Sequence, residues 1–412
     1  MPSFSIPLSG LTANSQALSV IANNLANLNT LAYKGSRTTF RDLFYQQVGS
    51  SGAGNPVQVG LGATVSTITP ISTQGTIEST GVPTDVAIQG DGFFVVDKGG
   101  VRQYTRAGNF SVDANGNLVT GDGGQVMGFV ATNGVISTSQ TLQPLSVANG
   151  QINPPNATTN VQLALNLNAE DAVGSTFSTA VVVFDALGGS HVLNFDYTKT
   201  AANAWDYEIT IPAADLGGSG APTVVSSGSL AFNGSGQLTS PAADVTGINI
   251  SGFANGADPL TFTWQLRDAA GVPTVTQVAK PSATSSTRQN GFASGSQQSF
   301  TIGSDGVIQG IFSNGQTMAL GQIVLATFPN MAGLLQNGDN SFLASLSSGA
   351  PSVGIPSTGG RGSLAGSSLE LSNVDIAKEF AQLILAQRGF QANSRAVTTF
   401  DEIAQETINL KR

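Results

Sequence analysis

Two stretches at opposite ends of the chain space their apolar residues in sevens, while the long middle alternates on a shorter period. In the tail from Ser372 to Arg412, Ile376, Leu383, Phe390, Val397 and Ala404 recur at every seventh position, and Phe380, Phe400 and Ile403 widen that row into a stripe. This is the spacing of a helix that packs along its length. The tail has no proline and a single glycine, Gly389. Ser372, three residues before Asp375, is expected to open the helix, the hydroxyl accepting from an orphan amide and the carboxylate favouring the positive end of the dipole. At about 1.5 Å per residue the helix would reach roughly 60 Å, so it needs a partner outside a compact core. The N-terminus supplies one. Between Leu8 and Leu28, Leu11, Leu18 and Leu25 form a row, with Ile21 and Leu28 three positions beyond the second and third of them. Between these lie uncharged polar residues, among them Asn14, Asn23, Asn24 and Asn27. The two seams predict an antiparallel helix pair. Neither is apolar enough to be secure alone, so the termini are expected to be disordered in the monomer and to order against neighbouring subunits.

From Asn29 to Thr73 the pattern reads as a connector with a helical piece around Phe40 to Gln47 and a Gly/Ser stretch from Gly49 to Gly54. Lys34, Arg37 and Arg41 concentrate positive charge there, either as a solvated face or as ion pairs with acids on the C-terminal helix. Beyond Thr73, short alternating runs (Phe93 to Val96, Phe110 to Val112, Thr158 to Leu167, Thr176 to Phe184, His191 to Tyr197, Trp205 to Ile211, Leu260 to Trp264) are cut by turn dipeptides such as Asn115-Gly116 and Asp122-Gly123. These predict antiparallel strands. Pro154-Pro155 and the Ser/Gly-rich Ser282 to Gly295 bracket an inserted domain, and Ser345 to Ser368 returns the chain to its C-terminal helix. The predicted fold class is multidomain α+β: terminal α-helices forming a coiled-coil-like core, plus two mainly antiparallel β domains nested in the chain. The expected boundaries are 1–28 with 372–412 for the helices, 29–72 with 350–371 for the connector, 73–150 with 285–349 for an inner β domain and 151–284 for an outer one.

Composition narrows the function. The 412 residues carry only 10% charged side chains but 50 glycines, and a net charge of −9 offers no basic surface for nucleic acid or anionic membrane. Zero cysteines exclude disulfides and thiolate metal sites, and one histidine leaves no His-rich site. No signal peptide and no run of 18 apolar residues is visible, yet a thiol-free, charge-poor surface reads as extracellular.

Catalytic templates fail. There is no GxSxG elbow, GxGxxG fingerprint or P-loop. Asp113, Asn115 and Asn117 have calcium-loop spacing, but Leu118 stands where that loop needs glycine and Gly124 where it needs glutamate, so a β-turn is expected. His191 sits inside an alternating strand and reads as structural; Trp205 and Trp264 read as core aromatics. Nothing in the sequence brings together any two of Asp171, Asp185 and Asp196, which are assigned to turns or strand faces. No catalytic, cofactor-binding or metal residue is predicted.

The residues bearing the seams also carry a resemblance. IANNLANLNTLAYKGSR (Ile21 to Arg37) resembles the Asn-rich N-terminal signature of bacterial flagellar rod and hook proteins, and LAQRGFQANSR (Leu385 to Arg395) its C-terminal counterpart. GDGFFVV (Gly90 to Val96), YTRAGNFSVDANGNLV (Tyr104 to Val119), the run from Thr176 to Thr200 and LGQIVLATFPN (Leu320 to Asn330) are similar to the hook group in particular. Signature positions carried over are Asn23, Asn24, Asn27, Asn29, Tyr33, Lys34, Gln387, Arg388, Gln391 and Asn393; Ala32 stands where relatives usually have glycine. The resemblance implies a structural, non-enzymatic subunit of the hook, a homopolymer forming a curved hollow tube that acts as a universal joint between rod and filament. It implies terminal helices lining the channel and an outward-facing inserted domain. It implies as partners the distal rod, hook cap and hook-filament junction proteins and the flagellar type III export apparatus, without membrane insertion or a cleaved signal. The alternatives are a distal rod subunit, or a secreted β-rich adhesin or hydrolase.

Overall fold

The computed structural model describes residues 4–52, 54–148 and 150–410. Helix α1 (Ser5–Ala26) is followed by four strands, β1 (Ser36–Asp42), β2 (Tyr45–Ser50), β3 (Pro56–Gly60) and β4 (Ala63–Pro70), and the described chain ends in helix α2 (Ile376–Asn409). Two compact units result: residues 1–149, 299–310 and 317–412 form the first, and residues 150–298 and 311–316 the second.

In the first unit, β1 and β4 form an antiparallel ladder with a bulge at Thr39/Phe40, and β2 and β3 form a separate ribbon. This corrects the helix expected at Phe40 to Gln47. The ladder to Ala63–Pro70 satisfies the β1 backbone with groups that local sequence reading does not see, and such pairing overrides weak helix propensity. The β body of this unit is built on Phe93–Lys98, which pairs antiparallel with Val101–Thr105, Gln125–Thr132 and Leu325–Thr327. Phe93, Val95, Tyr104, Met127, Phe129, Val324, Ala326 and Phe328 pack into one core. The Asp113 turn is as expected: its carboxylate accepts from the amides of Asn115 and Asn117, both at 2.8 Å. Two short ladders, Val86–Gln89 with Ser363–Gly366 and Ile77–Ser79 with Ser368–Glu370, bring the returning chain beside the outgoing one.

The second unit holds two five-stranded sheets. One is an antiparallel meander from Thr176–Phe184 to Leu238–Ser240. The other is mixed, because Asn160–Asn168 runs parallel to Leu260–Gln265 and Val275–Val278 and antiparallel to Ala283–Gln289. That last pairing draws the chain beyond 284 into this unit and moves the expected boundary to 298. Strict alternation decides what is inside: NVQLALNLN buries every second residue, Val161, Leu163, Leu165 and Leu167. Trp205 and Trp264 are fully buried, the latter edge-on to Phe195 and Tyr207 at 5.2 and 5.0 Å. Both are core residues, as expected.

Candidate assembly site

The two helices pair antiparallel within one chain, and small residues set their approach. Along α1 the contact row is Pro7, Gly10, Asn14, Ala17, Ile21 and Asn24, a heptad pattern one position away from the leucine row. A Cβ on Gly10 would meet the Asn393 amide at 2.7 Å, and one on Gly389 would meet that of Asn14 at 2.9 Å. Each asparagine donates to the carbonyl of the glycine four residues earlier in its own helix, Asn14 to Gly10 at 2.7 Å and Asn393 to Gly389 at 2.9 Å. Each helix thus carries the same Gly-x-x-x-Asn device, with each asparagine seated on the other helix's glycine. The polar tips are satisfied inside the pair, and the missing Cβ atoms let the backbones approach. Phe4 and Phe400 close one end edge to face, with centroids 6.0 Å apart.

At the other end α1 opens into a buried polar junction. Asn24, 1% exposed, donates to the Ser36 carbonyl at 2.8 Å and to Glu379 Oε1 at 3.2 Å, and accepts from the Ser36 amide at 2.9 Å. Its side chain therefore stitches α1, β1 and α2 together. Tyr33 accepts from Asn23 at 2.9 Å; burial, and then the charge of Glu379, push its phenol above the usual range. Ala32 adopts a left-handed backbone, φ 56°, and its amide donates to the Glu370 carbonyl at 2.8 Å. The Glu370 side chain is fully buried between Lys34 Nζ at 2.6 Å and Arg106 Nε at 2.7 Å, and also accepts from the Gly75 amide at 2.8 Å. Burial opposes its ionisation, yet Arg106, Lys34 and that amide together hold the carboxyl below the ordinary value. Lys34 is also lowered: its own burial, with Arg106 nearby, outweighs its half share of one carboxylate. Arg106 further donates to the carbonyls of Gly92 and Gly90 at 3.0 and 2.6 Å. One acid thus ties the connector, the inner β body and the approach to α2.

The sequence-predicted residues fall in three groups. Ile21 is buried in the seam, whereas Leu11, Leu18, Leu25 and Leu28 are half-buried along its flank. On α2, Leu383, Phe390, Val397 and Ala404 are half-buried and form one side of the contact, and its other side is Glu379, Ala386, Asn393 and Phe400. Ile376 and Phe380 are exposed, at 47% and 50%. Large apolar side chains directed the reading to the leucines, while the tightest row is built from glycine, alanine and asparagine. The signal that could have found it is the repeated Gly-x-x-x-Asn spacing. Of the signature positions, Asn23, Asn24, Tyr33, Lys34 and Asn393 make the contacts above and Asn27 bonds the Asn23 carbonyl at 2.9 Å, whereas Asn29, Gln387, Arg388 and Gln391 are exposed. The α2 cap is corrected: Asp375, not Ser372, accepts from the Ala377 and Lys378 amides, at 2.8 and 3.1 Å. Lys34 pairs with Glu370, which precedes α2, rather than with an acid on that helix.

In the second unit His191 is structural, in a setting the sequence did not reveal. Its ring lies 4.5 Å from Phe253, with Nε2 3.0 Å from buried Asp185 and Nδ1 3.1 Å from Asp215. Burial works against the Asp185 charge, but His191, Asn255 and the amides of Gly189 and Leu187 keep its carboxyl below the ordinary value. Asp171 and Asp196 are satisfied separately, by Asn168 and Ser178. Among the described residues no cluster of acids and histidine could hold a metal, and no helix is long and apolar enough to cross a membrane.

Four family models match in chain order: Flagella basal body rod protein at residues 6–34, Flagellar hook protein FlgE/F/G D1 domain at 87–166, Flagellar basal body protein FlaE D2 domain at 148–292 and Flagellar basal body rod FlgEFG protein C-terminal at 365–410. The chain is 36% identical to flagellar hook protein FlgE of Salmonella typhimurium over 99% of its own length and 100% of the relative's. It is 33% identical to flagellar hook protein FlgE of Treponema pallidum, covering 98% of both. The chain belongs to the flagellar hook protein family. Its membership is that of a structural hook subunit, and the rod and adhesin alternatives are not favoured. The fold agrees with the crystal structure of Helicobacter pylori flagellar hook protein FlgE2, with a TM-score of 0.52 and 17% identity over 70% of this chain and 98% of that one. In this hook-family chain the helix pair, Lys34 and Glu370 fall in the segments matched by the two rod-type models, and Arg106 falls in the segment matched by the D1 model.

Proposed function

We propose that the chain polymerises helically into a curved, hollow hook that transmits torque from rod to filament, with the terminal helices as its assembly element. The observation that carries this reading is the apolar surface the intrachain pair leaves open. Ile384 and Leu385 on α2 are 50% and 70% exposed, and Leu8 on α1 is 56% exposed. Such a row on two paired helices has its use against further helices, and repetition of one non-closing contact builds a tube from a single protein. In this reading residues 1–28 and 372–412 line the channel, 29–72 and 350–371 connect, and the inner and outer β regions follow outward. The leucine row of α1, with Ile376 and Phe380, serves neighbours rather than the pair itself. The polymer meets distal rod, hook cap and hook-filament junction proteins at its ends, and the subunit leaves the cell through the flagellar type III apparatus without a cleaved signal. Electron microscopy of the purified protein tests the proposal: full-length chain is expected to form tubes, and a chain lacking 1–28 and 372–412 to form none. Tubes from the truncated chain would refute it. Circular dichroism tests the coupled ordering of the ends, which requires helix signal to rise on polymerisation.

A further inference from the structure

We infer that Asn133 is a site of spontaneous covalent modification, the Asn-Gly pair that the fold leaves readiest to deamidate to aspartate and isoaspartate. The sequence holds eight such pairs, and Asn149 of one of them lies outside the described residues. A glycine after asparagine puts no side chain in the way of its own nitrogen, which can attack the asparagine Cγ. In that step the nitrogen gives up its proton to solvent, the N–Cγ bond forms, and the Cγ–Nδ2 bond breaks to release ammonia, which carries a proton away. Water then opens the cyclic imide. Opening on the Cγ side leaves aspartate, and opening on the backbone carbonyl side leaves isoaspartate, in which the chain runs through Cγ. One water is consumed for each ammonia released, and no electrons are transferred.

What separates these chemically equal pairs is what holds each of them closed, because the attacking nitrogen must swing onto the side chain and the turn has to open first. At Asn290 the side-chain carbonyl accepts from the amides of Thr159 and Asn160, both at 2.9 Å, and the Gly291 nitrogen donates to Gln289 at 2.5 Å. Asn314 accepts from the Gln316 amide at 3.1 Å and donates to the Ala293 carbonyl at 2.8 Å. Asn255 donates to Asp185 at 2.5 Å and accepts from the Ala257 amide at 3.0 Å. Asn233 accepts from the amides of Ser235 and Gln237, both at 2.9 Å. At Asn115 the Gly116 nitrogen donates to the Asp113 carbonyl at 3.0 Å, and Gly338, after Asn337, is paired with Ser341 in a ladder.

Asn133 has none of these restraints. It is exposed at the tip of the hairpin joining Gln125–Thr132 to Val135–Ile136, where the ladder has only the rungs Ala131 with Ile136 and Thr132 with Val135. Among the described residues neither its side chain nor the Gly134 nitrogen has a hydrogen-bond partner in the protein, and its backbone stands at φ 51°, in the left-handed region. A hydrogen bond's net contribution is worth about five-fold in an opening equilibrium, so the two bonds at each of Asn233, Asn255, Asn290 and Asn314 slow those sites at least about ten-fold relative to Asn133. Conversion at Asn133 adds a negative charge to a chain with few charges, and isoaspartate lengthens the backbone inside a two-residue turn.

The unmodified full-length chain tests this. It is held in mildly alkaline buffer, folded and in urea, and digested at intervals; mass spectrometry reads at each asparagine the mass gain that replaces an amide NH2 by OH, and an isoaspartate methyltransferase with a labelled methyl donor counts the isoaspartate. The folded chain is expected to convert Asn133 at least about ten-fold faster than the four doubly bonded sites, and the gap is expected to close to a few-fold in urea, where all share one dipeptide. Asn133→Gln, with its fold checked by circular dichroism, should lose the early isoaspartate signal. Comparable rates at the five sites in the folded chain overturn the inference. So does a gap that persists in urea, which would place its cause in neighbouring sequence rather than in the fold, or an early isoaspartate signal unchanged in Asn133→Gln.

Discussion

Replacing Glu370 by glutamine removes the charge at the junction and changes little else. The amide keeps the carboxylate's shape, but Lys34 and Arg106 then lie within 2.6 and 2.7 Å of a neutral group, in a place where the acid had no solvent exposure. Breaking a buried ion pair by removing one partner costs about 3–5 kcal/mol, because the remaining charge stays desolvated. Lys34 keeps the Thr73 carbonyl at 2.9 Å and Arg106 keeps its carbonyl acceptors, which favours the lower end, about 3 kcal/mol. For a unit of this size each kcal/mol moves the melting temperature by about 2–4 °C, so Glu370→Gln is expected to lower it by roughly 6–12 °C. Thermal unfolding of the monomer followed by circular dichroism measures this, and adding Lys34→Met should give less than the sum of the two single effects because the sites touch. The pH dependence follows from the sign of the shift. A carboxyl whose folded pKa lies below its unfolded value contributes stability above the unfolded value, about 4.3 for glutamate, and gives it up as pH falls through the folded one. The gap between native and Glu370→Gln proteins is therefore widest at neutral pH and closes under acid. A shift below about 2 °C at pH 7, or a gap that widens toward acid, would refute the argument.

Three further outcomes are expected. Gly10→Leu and Gly389→Leu each drive a side chain into the facing asparagine amide, overpacking the helix crossing by about 1–3 kcal/mol, and electron microscopy should find tube formation lost or markedly slowed. Ala32→Gly relieves a left-handed φ of 56° at about 1–2 kcal/mol while losing up to about 1 kcal/mol through the freer unfolded chain; the net gain should raise the urea midpoint, and a fall would count against the strain. Asp375→Ala removes the acceptor for two α2 amides and should cost about 1 kcal/mol of helix stability, seen as faster hydrogen exchange in its first turn, whereas Ser372→Ala should leave those amides unchanged.

Periodicity alone placed both terminal helices, their antiparallel sense and the strands of the middle, because the 3.5- and 2-residue repeats record which side of each element is buried. It also marked the Asp113 turn and the buried tryptophans, where a single local rule decides the outcome. The tertiary structure decided what depends on distant partners. Phe40 to Asp42 is strand because Ala63–Pro70 lies beside it, Tyr45 to Gln47 is strand because Pro56–Gly60 does, and Ala283–Gln289 joins the second unit because Asn160–Asn168 pairs with it. The tight helix contact runs through glycine and asparagine, residues that look like interruptions in a hydrophobic pattern until the opposite helix is in place. Lys34, Arg106 and Glu370 are up to 336 residues apart, and His191, on the strand Ser190–Ala201, meets Asp185 of the preceding turn and Asp215 of the 3-10 turn Ala213–Leu216 only in the folded unit. A local pattern reports burial, whereas the identity of the burying partner is a property of the folded chain.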